Sequence, residues 1–89
     1  MPTLNVSAGL TDPSGSILVM LDSTTVLNGP GSASVPLVTG QSYVVQWYVD
    51  ASPGSDYTVR VTSPGEARIN LKRRLKGDGK DYGGFRFTA

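Results

Sequence analysis

The chain has 89 residues, with eight Lys and Arg against seven Asp and Glu and with neither Cys nor His. That length supports one core, burying about 60–65% of the unfolded chain's surface and leaving no room for a deep enclosed active site. Without His or Cys, a Ser-His-Asp or Cys-His nucleophile, a His-based or thiolate zinc site and any disulfide staple are excluded.

Strands are marked by period-two alternation of β-branched and aromatic residues between clusters of Gly, Pro, Asn, Asp and Ser. This pattern predicts strands near 3–9, 16–22, 24–28, 32–39, 42–50, 56–63, 67–75 and 83–88, with no sustained helical period. The first residues, Met1-Pro2-Thr3-Leu4-Asn5, have neither the basic start nor the long apolar region of a secretory signal, so the start reads as intact or as that of an excised module with an added Met. The longest apolar run, Ile17 to Leu21, stops at Asp22 and is too short to span a membrane. The punctuation is turn chemistry: Asp12-Pro13-Ser14-Gly15, Asn28-Gly29-Pro30-Gly31, Thr39-Gly40-Gln41, Ser52-Pro53-Gly54-Ser55, Ser63-Pro64-Gly65-Glu66 and Gly77-Asp78-Gly79-Lys80-Asp81. Seven to eight short strands at this spacing predict a single all-β domain over 1–89, an antiparallel β-sandwich rather than a small barrel.

Within 42–50, Tyr43, Val45, Trp47 and Val49 share the face expected in the core, while Val44, Gln46, Tyr48 and Asp50 point outward. In 56–63, Tyr57, Val59 and Val61 point inward and Thr58, Arg60 and Thr62 outward. Pro36 lacks the N–H a ladder needs, which places 32–39 at a sheet edge or on a bulge. The bases along 68–76 suit the protection of another edge.

The segment Gly54-Ser55-Asp56-Tyr57-Thr58-Val59-Arg60-Val61-Thr62 resembles the strand of fibronectin type III and related immunoglobulin-like domains in which Tyr follows a turn and precedes alternating valines. Leu18 to Asp22, with Gly40 and Tyr43-Val44-Val45, resembles small bacterial sandwich modules that carry a Gly-x-x-Tyr-x-Val strand. The fibronectin pattern has an early core Trp, whereas the Trp of this chain is Trp47, in mid-sequence. These resemblances imply an immunoglobulin-like β-sandwich with an adhesion, spacer or ligand-binding accessory role and no catalysis.

No phosphate-cradling glycine motif is present, and no cofactor or metal is expected. Asp22 and Asp50 are the carboxylates to weigh as an acid and base pair, against their reading as solvated strand ends. The loop 77–84 offers Asp78 and Asp81 as oxygen ligands for Ca²⁺, but Lys80 between them favours an ordinary hairpin loop.

Charge is segregated along the chain. Residues 1–59 carry Asp12, Asp22, Asp50 and Asp56 without a base, and all eight bases follow. The run Arg68-Ile69-Asn70-Leu71-Lys72-Arg73-Arg74-Leu75-Lys76, taken as a strand, turns Ile69, Leu71 and Leu75 inward and lines Arg68, Lys72, Arg74 and Lys76 along the solvent side, with Arg73 marking a bulge or the strand's end. That row is the candidate anion-binding site for an acidic protein, an acidic polysaccharide or nucleic acid, against its reading as a solvated edge. Among the aromatics, outward Tyr48 and loop residue Tyr82 are the candidates for stacking on a sugar. The expected function is a non-catalytic accessory or interaction module with a protein or polysaccharide partner, the alternative being an anionic-polymer binder acting through 68–76.

Overall fold

The computed structural model describes residues 2–63 and 65–89, apart from the side chain of Glu66. Pro64, part of one expected turn, lies outside the described residues. The alternating segments form eight strands: β1 (Thr3–Leu10), β2 (Ser16–Leu21), β3 (Thr24–Asn28), β4 (Gly31–Pro36), β5 (Ser42–Asp50), β6 (Asp56–Ser63), β7 (Ile69–Arg74) and β8 (Lys80–Thr88). They build two antiparallel sheets, ordered β4-β1-β6-β7 and β3-β2-β5-β8. The inward faces meet in one core that includes Leu4, Val6, Ile17, Val19, Val45, Trp47, Tyr57, Val59, Val61 and Phe87. No helix among the described residues is long and apolar enough to cross a membrane.

The strand order has an internal symmetry. Adding four to each strand number of the first sheet, cyclically over eight, reproduces the second sheet. Only β2–β3 and β6–β7 are hairpins, and every other connection crosses between sheets. Each half of the chain thus lends two strands to each sheet, and neither half builds a sheet alone. The equivalent crossings β1–β2 and β5–β6 touch. Thr11 N donates to Asp56 O at 3.0 Å, Asp56 N donates to Thr11 Oγ1 at 2.9 Å, and Ser52 N donates to Asp12 Oδ2 at 2.9 Å. Asp12 Oδ1 also accepts from the backbone and hydroxyl of Ser14. These donors, the Ser52 amide first, hold the Asp12 carboxyl down at about 2.

β1 and β2 do not form a hairpin, since they lie in opposite sheets. Local alternation specifies strands and faces, whereas sheet membership depends on long-range packing. The 77–84 segment is likewise not a hairpin: β7 and β8 are edge strands of different sheets, and residues 75–79 cross between them. Pro36 does end an edge strand, β4, and the basic run does form another, β7.

Candidate binding surface on the outer face of the second sheet

The antiparallel register of β2, β5 and β8 sets side chains in cross-strand rows on the solvent side. Leu18 pairs with Tyr48 and Tyr48 with Tyr82, so the middle row is Leu18-Tyr48-Tyr82. The next row toward the β7–β8 crossing is Ser16-Asp50-Lys80, and on the other side lie Met20, Gln46 and Gly84. Three strands at about 4.8 Å spacing make each row roughly 10 Å wide.

The tyrosines meet with ring centroids 6.5 Å apart and planes 26° apart, an offset stack. Burial elsewhere in the core makes their exposure stand out: Tyr48 is 46% and Tyr82 74% exposed. A hollow of about 580 Å³ lies on one side of the pair, bordered by Ser16, Leu18, Asp50, Asp78 and Lys80. A second hollow, of about 390 Å³, lies on the other side, bordered by Val44, Gln46, Gly84 and Arg86. Gly84, having no side chain, leaves this second hollow open beside Gln46. The surface is therefore an exposed pair of tyrosine rings between two shallow depressions, with carboxylate, ammonium, amide and guanidinium groups around it. It can stack on a flat apolar face while exchanging hydrogen bonds at that face's rim.

The basic row is distributed differently from its linear spacing. Lys72 and Arg74 do share the outer face of the first sheet, beside Thr58 and Asp56. Arg74 Nε, however, donates to Asp56 Oδ1 at 3.0 Å, so one of the four expected charges is already paired. Arg68 lies before β7, next to Arg60 over a shallow hollow, and Lys76 follows the strand on the crossing toward β8. Arg86 stands on the outer face of the other sheet and does not join the row. Arg73 falls on the inward-facing parity of Ile69 and Leu71, and its Nη1 reaches across the sandwich to within 3.9 Å of Asp81 Oδ2.

Asp22, Asp56, Asp78 and Asp81 have structural partners. Asp22 and Asp50 sit at opposite ends of the paired β2 and β5, about 20 Å apart at strand rise, too far to act as an acid and base pair. Asp22 has a positive φ of 49° in the two-residue β2–β3 turn, and its Oδ1 accepts the Val44 amide at 2.8 Å. Asp78 Oδ1 accepts the Lys80 amide and Asp81 Oδ1 the Tyr82 amide. Among the described residues no three acidic, His or Cys side chains gather as metal ligands.

Inside the sandwich, Tyr57 donates its hydroxyl to Asp81 Oδ2 at 2.6 Å. Burial first, then this bond to a carboxylate, pushes the Tyr57 phenol up from its ordinary value of 10.0. The Trp47 indole N–H lies near enough to oppose that rise, but it falls outside hydrogen-bond geometry, and Nε1 is buried without an acceptor among the described residues. Sequence reasoning placed Trp47 in the core and missed this unsatisfied donor. Its signal is Gly83-Gly84, since an added Cβ at Gly83 would lie 2.5–2.9 Å from the indole.

No protein-family model, curated protein or solved structure matches the chain, so its function must be read from its own surface.

Proposed function

We propose that this chain is a non-catalytic binding module whose contact surface is the outer face of β2, β5 and β8, and that its ligand is a neutral saccharide chain. The observation that carries this reading is the pairing of exposed Tyr48 with exposed Tyr82 between two polar-rimmed hollows. Phenol rings offer flat apolar faces to the C–H face of a sugar ring, at low entropic cost because each has few rotors. Asp50, Asp78, Lys80 and Gln46 supply acceptors and donors for ring hydroxyls. The β5–β8 register sets the two rings side by side before binding, which limits the ordering cost of association.

Native gel electrophoresis through gels containing soluble xylan, mannan or mixed-linkage glucan tests the reading. At least one polysaccharide should retard the protein, and Tyr82→Ala and Tyr48→Ala should each abolish the retardation without altering the circular dichroism spectrum. Unretarded migration in all three gels, or retardation indifferent to both substitutions, would count against it.

A second reading, binding of an anionic polymer, is supported by Lys72 on the outer face of the first sheet and by Arg60 and Arg68 around one hollow. Its reach is reduced by the Arg74–Asp56 pair.

A further inference from the structure

The edges of β3 and β4 come into contact, while at the opposite seam the edges of β7 and β8 leave a cleft of about 320 Å³. Trp47, Ile69, Leu71, Arg73, Gly83 and Phe85 line it. Ile69, Leu71 and Phe85 are half-buried, so apolar surface is exposed in the mouth between the sheets. Trp47 is 95% covered, yet its Nε1–H, placed where a Gly83 side chain would sit, has no acceptor among the described residues. A buried donor left unpaired is destabilising, so a ligand supplying an acceptor there recovers that loss.

The free edge of β8 points the same way. Ala51 N donates to Gly79 O and Ala89 N donates to Gln41 O, which turns the odd-numbered backbone groups of β8 toward β5 and the even-numbered ones outward. Of the outward N–H groups, that of Lys80 is capped by Asp78 and that of Tyr82 by Asp81. No described side chain caps Gly84 or Arg86, the residues beside the cleft. The strand edge is thus closed by its own carboxylates at one end, and at the other, where the Gly65–Ala67 turn also packs against β8, the Gly84 and Arg86 amides have no partner among the described residues. The one charged residue among those lining the cleft is basic, Arg73.

From these observations we infer that the β7–β8 seam is a docking site for an extended peptide segment of alternating apolar and acidic residues, contributed by a partner protein. The segment adds as a strand to the β8 edge at Gly84 and Arg86. Its apolar side chains enter the mouth against Ile69, Leu71 and Phe85, one of its polar groups accepts from Trp47 Nε1, and a carboxylate meets Arg73. Arg73 can turn to it because its link to Asp81 is long, at 3.9 Å, and its side chain is half exposed.

Trp47 is the only tryptophan, so its indole N–H gives one resolved nuclear magnetic resonance signal inside the cleft. The probe is a capped hexapeptide of alternating Val and Glu, titrated into ¹⁵N-labelled protein. The indole proton should move downfield as it gains an acceptor, and the Gly84 and Arg86 amides should shift and exchange more slowly. The matching Val-Lys peptide should leave all three unmoved. Arg73→Gln, an exposed change that spares the core, should weaken binding about tenfold, the loss of one charged hydrogen bond. The inference is overturned if the three signals stay fixed at millimolar Val-Glu peptide, if both peptides act alike, or if the signals move with protein concentration alone, which would make the occupant a second copy of this chain.

Discussion

The Tyr57 hydroxyl and the Asp81 carboxylate, 2.6 Å apart, tie β6 of one sheet to β8 of the other. The bond crosses the seam that the backbone leaves unpaired. Tyr57→Phe is expected to cost about 1.5–3 kcal/mol in urea unfolding, the range for a hydrogen bond to a charged group. Because the folded-state pKa of Tyr57 is raised, its contribution is complete below about pH 10 and is lost as pH rises through the folded value. The stability difference between native protein and Tyr57→Phe should therefore shrink above pH 10.

Asp12 acts at the acid end. Its carboxyl titrates at about 2 in the folded chain against 3.8 for the free side chain, so its stabilising effect is present above 3.8 and lost as pH falls toward 2. Thermal midpoints of native protein and Asp12→Ala, compared across that interval, should converge as the pH drops.

Trp47 and Gly83 are a packing pair. Trp47→Ala is expected to cost about 3–5 kcal/mol, enough to unfold most of a domain this small. Gly83→Ala drives a methyl group into the indole and should cost about 1–3 kcal/mol. In a Trp47→Phe background the same change should cost much less, and a denaturation double-mutant cycle measures the difference.

Much of this fold is legible in the residues. The alternation of Tyr43, Val45, Trp47 and Val49 against Val44, Gln46, Tyr48 and Asp50 gives both the strand and its buried face, and β5 runs over the expected 42–50. Pro36 marks an edge because a missing N–H is a local fact. The sheet to which β8 belongs is not local: Gly77-Asp78-Gly79 has the chemistry of a hairpin turn, but the chain there crosses to the other sheet. The site follows the same division. Tyr48 and Tyr82 stand out as outward aromatics, but their contact requires a β5–β8 register spanning 34 positions, and the pairing of Arg74 with Asp56 depends on the β6–β7 register.

That Arg74–Asp56 pair makes the basic row testable on immobilised heparin. If the row binds a polyanion, Asp56→Asn frees the guanidinium and should delay elution more than Asp50→Asn, which makes the same charge change on the other sheet. Four contacts correspond to a log-log salt slope of about −3 for a single-stranded polyanion, and Lys72→Ser with Arg74→Ser should roughly halve it. Equal elution of the two Asp variants would identify the row as a protected strand edge.

The proposed saccharide surface is tested most directly by residue-resolved nuclear magnetic resonance of the labelled protein titrated with xylohexaose, mannohexaose and cellohexaose in turn. At least one of these should shift the signals of Ser16, Leu18, Tyr48, Asp50 and Tyr82 together, while the Lys72 and Arg74 signals on the far sheet stay fixed. Unchanged spectra with all three oligosaccharides at millimolar concentration, or shifts confined to residues outside the Leu18-Tyr48-Tyr82 row and its rim, would contradict it.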